Sequence, residues 1–177
     1  MTLDYQQERL FDLGWLTAAI EGEGSLTIIK STGQWKGVIH YVPVCLISNT
    51  KEDFIRNVER ICTENKIGVY IRMQQPPGNR QPVWAARIQG MRRCKRLLEL
   101  LYQRMVIKRD NAKILLELIN YRLNLPHQTP YSDYELSLRN KVQSLNKNNG
   151  KKSKRILRDY MPNSQRDEDI VRTSNES

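Results

Sequence analysis

The stretch Leu13-Gly14-Trp15-Leu16-Thr17-Ala18-Ala19-Ile20 is apolar almost all round, and it stops abruptly at Glu21-Gly22-Glu23-Gly24. A helix without a polar face has to be buried on two sides. One side, carrying Leu13, Leu16 and Ile20, can cover a sheet; the other, lined by the small residues Ala18 and Gly22, can let a second helix approach closely. Its end is unusual in charge. A helix C-terminus carries partial negative charge, so each carboxylate there is disfavoured by about 0.3–1 kcal/mol, more if buried. A local rule broken twice in three residues points to function.

The segments that follow have clear periodicities. This first helix is expected from about Gln6–Glu8 to Glu21. Ser25–Lys30 has the make-up of a strand, and Val38–Ile47 that of its antiparallel neighbour across a turn containing Gly33 and Gly37. Pro43 argues for an edge or a bulge in that second strand. Thr50-x-x-Asp53 resembles an N-cap box, and Phe54, Ile55, Val58, Ile61 and Cys62 then trace one face of a second helix. Two more strands, Val69–Gln74 and Val83–Ile88, flank the turn Pro76-Pro77-Gly78-Asn79. A third helix carries Met91, Cys94, Leu97, Leu98 and Leu101. A fourth opens near Lys108 and stops before Pro126, and a fifth, after Pro130, is supported by Tyr134, Leu138, Val142 and Leu145. The order helix, hairpin, helix, hairpin, helices defines an α+β domain whose antiparallel sheet is covered on one face only. The domain is expected over residues 1–148. Residues 149–177, basic from Lys151 to Arg158 and then polar and acidic, read as a flexible tail.

Composition narrows the chemistry. A net charge of +10 over 177 residues favours a polyanionic partner, of which nucleic acid is the commonest. Cys45, Cys62 and Cys94 are odd in number and widely spaced, which suggests neither a disulfide framework nor a zinc cluster and fits a reducing intracellular compartment, an organelle or a prokaryotic cytoplasm. No apolar run approaches the ~20 residues of a membrane span, and no membrane partner is expected. His40 and His127 have no companion at metal-ligand spacing, and no Ser-His-Asp set can be assembled. What remains is carboxylate on a Gly-flanked turn between a buried helix and a strand, in a basic protein. Carboxylate oxygens suit Mg²⁺, which also takes waters and phosphate oxygens and can prepare water for attack on phosphorus.

Leu16-Thr17-Ala18-Ala19-Ile20-Glu21-Gly22-Glu23-Gly24, followed by Ser25, resembles the defining motif of the LAGLIDADG homing endonucleases in an acidic Glu-Gly-Glu-Gly form. Ser48-Asn49-Thr50-Lys51, Gly68-Val69-Tyr70-Ile71-Arg72 and Lys108-Arg109-Asp110-Asn111-Ala112 resemble later blocks of that family in the same order, so the likeness covers about Glu8 to Leu145. The resemblance implies an αββαββα fold, a saddle-shaped sheet set into the DNA major groove, and metal-dependent cleavage that leaves short 3′ overhangs. It implies Glu23 as the metal-binding catalytic carboxylate, the Gly22 carbonyl as a further metal ligand, Lys108 as the basic residue near the scissile phosphate and Asn49 as an organiser of water. Mg²⁺ is the implied metal, with Mn²⁺ as a substitute and Ca²⁺ supporting binding without cleavage. Two positions depart from the pattern: Ala18 stands for the usual motif glycine, and Asp53 lies where some relatives have a basic residue.

Only one copy of the motif is present, whereas cutting two strands requires two carboxylate sites. The economical solution is a C₂ homodimer through the first helix, with Trp15, Ala18, Ala19 and Gly22 at the interface, reading a long pseudo-palindrome in double-stranded DNA. Arms of ~9 residues at ~3.3 Å each give two arms spanning about 60 Å, or roughly 18 base pairs. Strand alternation assigns Ser25, Thr27, Ile29 and Ser31 to the reading face, with Tyr70, Arg72 and Gln74 on one face of the third strand and Arg87 beside Val83 and Ala85 in the fourth. Arg72 and Gln74 suit guanine and adenine. His40 is a candidate base contact on a strand whose parity the sequence leaves open, because both its faces are apolar. Two other readings fit the same scaffold: a maturase that binds its host intron RNA, and a catalytically silent DNA-binding repressor.

Overall fold

The computed structural model describes residues 3–32, 39–78, 81–126 and 129–160. The turn glycines Gly33 and Gly37, Asn79, His127 and the polar end beyond Tyr160 lie outside the described residues. The element order is α1 (Leu3–Glu23), β1 (Gly24–Thr32), β2 (Ile39–Asn49), α2 (Glu52–Glu64), β3 (Tyr70–Gln74), β4 (Val83–Gln89), α3 (Met91–Leu101), α4 (Arg109–Leu123) and α5 (Asp133–Tyr160). The chain divides into two compact units, Met1–Val142 and Gln143–Ser177.

In the first unit the four strands form one antiparallel sheet in the order β1-β2-β4-β3. Register decides which face each residue occupies. Leu26 pairs with Cys45, Cys45 with Ile88, Ile47 with Ala86 and Ala86 with Ile71. This row carries the apolar side chains, and α1–α4 cover it. Leu16 and Ile20 of α1, Ile55 and Ile61 of α2, Leu97, Leu98 and Leu101 of α3, and Leu115 and Leu118 of α4 are buried against Leu26, Ile47 and Ile88. Burying a side chain of this size contributes roughly 1.5–3 kcal/mol, so the one-sided core is the main source of cohesion. A polar clamp ties the helices together on their outer side, where Arg60 of α2 donates to both Asp12 oxygens of α1 at 2.8 Å.

Several local expectations change. The α2 start is not capped by Thr50: Lys51 is the N-cap residue, no side chain caps the helix, and the turn is closed by Asn49 Oδ1, which accepts the Lys51 N–H at 2.9 Å. Asparagine side chains close turns in this way by bonding the backbone two residues on. Pro43 does not mark an edge strand, since β2 lies between β1 and β4. It is tolerated because the β4 ladder begins only at Val44, so the missing N–H of Pro43 points beyond the end of β4. The fifth helix, α5, runs from Asp133 to Tyr160. Lys, Arg and Leu favour a helix, no proline interrupts Asp133–Tyr160, and the weak formers Asn146, Asn148, Asn149 and Gly150 are tolerated within it. At its start, Glu135 accepts the Ser132 N–H at 2.9 Å, and its own N–H reaches back to Ser132 Oγ at 3.4 Å, a reciprocal capping box.

The passage from α1 into β1 is the tightest point. A Cβ on Gly24 would lie 2.6 Å from the Ile20 carbonyl oxygen and 2.9 Å from Ile20 Cα, backbone atoms that cannot rotate away. Gly24→Ala is therefore expected to lower unfolding free energy by about 1–3 kcal/mol, read as a shift in urea midpoint at unchanged m-value.

Candidate nucleic-acid interface and carboxylate centre

The face of the sheet opposite the helices is open. Its positions follow from the register: Ser25, Thr27, Ile29 and Ser31 in β1; His40, Val42, Val44, Leu46 and Ser48 in β2; Val83, Ala85, Arg87 and Gln89 in β4; Tyr70, Arg72 and Gln74 in β3. The parity of β2 is settled by the pairing of Ser31 with His40, which puts His40 on this face. None of these residues is acidic, in a chain with 19 Asp and Glu. Neutral donors and acceptors with Arg72 and Arg87 make a surface suited to base edges and phosphates. Arg87 stands between Leu46 and Tyr70 in the register, and its Nε is shielded with no hydrogen-bond partner among the described residues. A shielded donor left unpaired costs about 1–3 kcal/mol and is relieved by an incoming acceptor.

At the head of β1 the two glutamates have different situations. Glu21 Oε1 accepts the backbone N–H groups of Val106 and Ile107 at 2.6 Å each and of Lys108 at 3.2 Å. These donors belong to the turn leading into α4, whose N-cap residue is Lys108. In return, Lys108 Nζ donates to the main-chain carbonyl of Glu21. The acid disfavoured by the C-terminus of its own helix is thus favoured by the N-terminal turn of another, and an ammonium meets a carbonyl of the last turn of α1. Burial pushes the Lys108 amine below the ordinary lysine range, and the Glu21, Cys45 and Glu23 groups oppose that shift.

Glu23, the last residue of α1, is exposed, and among the described residues no hydrogen bond engages its carboxylate. It is near enough to Lys108 to act on its titration. Gly22, also exposed, precedes it in the last turn of the helix, where carbonyls have no intrahelical partner. Asn49 is placed differently. It pairs with Trp84 on the helix-facing row, and its Oδ1 is occupied by Lys51. Among the described residues no hydrogen bond joins it to Glu23 or Lys108. The three cysteines are buried, and burial raises each thiol, Cys62 and Cys94 to about 12, so none is a ready metal ligand.

Among the described residues, one side of α1 is covered by no other element. Gly14, Ala18 and Gly22 recur at four-residue spacing and are exposed, with Phe11 at the outer end 71% exposed. A Cβ on Gly14 or Gly22 would meet nothing within 4 Å. Ala19 and Trp15 are not part of this strip: Ala19 is buried in the chain's own core, and Trp15 packs on Phe54 with ring centroids 5.0 Å apart. The Ala19 methyl is spent on the core, and the part-buried Trp15 ring on α2. Val106 and Ile107, 80% and 68% exposed, add an apolar pair on the turn that Glu21 holds. Periodicity could not reveal them, because they stand in a short connection outside any helix or strand.

The Glu21 clasp has a measurable strength. Glu21→Ala hands three turn N–H groups, two of them exposed, over to water and should destabilise the fold by about 0.5–1.5 kcal/mol in chemical denaturation. Glu21→Gln, which keeps an oxygen but loses the charge, should lose less than Glu21→Ala.

No family model matches the sequence, and no curated protein does. Among solved structures, the chain resembles the homing endonuclease I-CvuI in complex with its target, with a TM-score of 0.63 and 16% identity over 78% of this chain and 84% of that one. It also resembles the archaeal intron-encoded homing endonuclease I-Vdi141I complexed with DNA, with a TM-score of 0.54 and 18% identity over 80% of this chain and 85% of that one. The meganuclease I-SmaMI bound to DNA gives a TM-score of 0.55 and 18% identity over 75% of this chain but 42% of that one. An apolar helix ending in paired acids, a four-stranded antiparallel sheet with one bare face, and these neighbours together establish that the chain has the LAGLIDADG homing endonuclease fold.

Proposed function

We propose that the chain is a sequence-specific, divalent-metal-dependent double-strand DNA endonuclease, encoded within an intron and acting as a C₂ homodimer. The observation that carries this reading is the setting of Glu23: an exposed carboxylate at the head of a sheet face without acids, close to a part-buried lysine amine. The bare face supplies the DNA-binding surface, with Ser25, Thr27, Ile29, Ser31, His40, Tyr70, Arg72, Gln74 and Arg87 as the readers. The DNA complexes of I-CvuI and I-Vdi141I, which share the fold, support duplex DNA as the ligand.

The donor set fits a hard cation. Glu23 offers a free carboxylate and Gly22 a carbonyl, and among the described residues no group of three or more His, Cys, Asp and Glu forms a ready cage. Mg²⁺ commonly takes one or two carboxylates and fills its remaining positions with water and substrate phosphate. I-CvuI–DNA complexes have been obtained in the presence of Mg and of Ca, which supports a divalent ion here; Mn²⁺ would be a substitute. Bound at Glu23 and Gly22, such an ion supplies an activated water and a clamp for phosphoryl oxygens. On this reading the Lys108 ammonium, part-buried and close enough to Glu23 to feel its charge, would offset charge that develops on the scissile phosphate. Asn49, with its oxygen committed to Lys51, has only its amide N–H₂ left for water.

One chain holds one such carboxylate. Two strands are cut if two chains pack through the Gly14-Ala18-Gly22 strip of α1, where small side chains allow close axes and bring both Glu23 residues to the dimer axis. Val106, Ile107 and Phe11 would be covered at its margins. Cleavage at the centre of a pseudo-palindrome would leave short 3′ overhangs.

The test is a Mg²⁺ cleavage screen on DNA spanning the intronless insertion site. Glu23→Gln should abolish cutting while leaving specific binding in Ca²⁺ intact; Mg²⁺-dependent cutting by that variant would remove Glu23 from its role. Binding of host intron RNA in preference to any duplex, with splicing unaffected by Glu23→Gln, would instead identify a maturase. Ala18→Glu, which puts a charge on the strip, should convert a dimer into a monomer in sedimentation while leaving the chain folded.

A further inference from the structure

The outer half of β2 is a strand with one neighbour. Residues Ile39 to Pro43 pair with β1, whereas β4 reaches only to Val44. In an antiparallel strand the N–H and C=O of one residue point to the same side, so Tyr41 and Pro43 turn their backbone groups toward the vacant side. Pro43 has no N–H, and its carbonyl accepts the Gly90 N–H at 3.0 Å. Tyr41 would be left with both groups unpaired. Instead, the Tyr131 hydroxyl donates to the Tyr41 carbonyl and accepts the Tyr41 N–H, each at 3.1 Å. One phenol oxygen does the work of a partner strand.

Tyr131 is itself held on several sides. Its ring meets the Tyr41 ring edge-on at 4.8 Å, and the Arg122 guanidinium lies over it at 4.0 Å. Arg122 in turn pairs with the fully buried Glu135 at 3.2 Å, and Arg139 covers the Tyr41 ring at 4.9 Å. The Tyr41 side chain lies on the helix-facing row, while its neighbours His40 and Val42 point to the open face. Fixing Tyr41 therefore fixes the outer part of the reading surface from behind.

We infer that Tyr131 is a positioning residue for sequence selection: it locks the β1–β2 arm in register so that Ser31 and His40 meet the outermost base pairs of each half-site. This rests on the DNA-endonuclease reading above. From Gly24 to Ser31 the arm advances about 23 Å at ~3.3 Å per residue, which is about seven base pairs at ~3.4 Å each. Positions next to Glu23 are held by the clasp at the other end of β1 and do not depend on Tyr131.

The experiment is to compare wild type and Tyr131→Phe in Ca²⁺ binding selections that report base preference position by position, with amide exchange measured at Tyr41. Phenylalanine keeps the ring contacts and removes both hydrogen bonds. Discrimination about seven base pairs from the centre should fall by about tenfold, the scale of one lost base contact, while preference at central positions is retained. The Tyr41 amide should be protected in wild type and exchange faster in the variant. An unprotected Tyr41 amide in the wild-type chain overturns the inference whatever the variant does. So do unchanged outer preferences in a folded variant, or a uniform loss along the whole site. A wild-type chain that selects no duplex at all would overturn the DNA reading itself, a result distinct from these.

Discussion

The exchange between Glu21 and the turn before α4 holds the rest of the molecule's business end in place. It joins the end of the first helix to a segment more than eighty residues later, carboxylate to three N–H groups and ammonium to carbonyl. Each half is charge-assisted, and such bonds are roughly twice as strong as neutral ones. One half satisfies a carbonyl in the last turn of α1, and the other gathers the N–H groups of the turn that leads into α4. Without it, the α1 exit would carry two repelling carboxylates and the 106–108 turn would have its donors in water. With it, Glu23 is the one of the two acids left uncommitted, and the Lys108 amine is held on the Glu21 carbonyl, near enough to feel the Glu23 charge.

This arrangement accounts for the electrostatic anomaly in the sequence. A pair of acids at a helix C-terminus is a local cost, and only one of them is offset within the chain. Glu21 receives its compensation from α4. Glu23 receives none, and on the proposed reading a divalent cation provides it. The chain thus folds around one of its acids and leaves the other for a ligand, a division of roles that adjacent positions of the same residue type do not advertise.

Much of this was legible from periodicity. The open-face assignments of β1, β3 and β4 follow from simple alternation, because in those strands one face is clearly more apolar than the other. β2 resisted the same logic. Val42, Val44 and Leu46 face outward while Cys45 and Ile47 face in, so both faces are apolar and only pairing with Leu26 and Ile88 decides between them. Apolar character alone cannot distinguish a core position from an unpartnered strip: of the expected interface residues, Ala19 is buried and Trp15 packs on Phe54. Asn49 was recognised by its place in a motif, but the oxygen it spends on Lys51 is a matter of backbone geometry that spacing does not encode. The Glu21 clasp lies at the far end of that scale. No sequence pattern links positions 21 and 106, since the contact is made by backbone donors that every residue but proline possesses.

The same limit explains Pro43. A proline in a strand forecasts an edge, and β2 is central in the sheet. Yet centrality belongs to a strand only where both neighbours are present, and β4 ends one residue before Pro43 is reached. Locally, Pro43 is on an edge, and an open edge invites pairing with another chain. The protein closes this one with a missing donor at Pro43 and a tyrosine hydroxyl at Tyr41. Closing it with a side chain, and not with another strand, leaves the arm free to extend past the body of the sheet. An arm of this kind gains reach only if something behind it stops the register from slipping, because a one-residue slip would turn every reader away from the open face. Reach and register are therefore supplied by different parts of the chain, the hairpin and the α4–α5 connection.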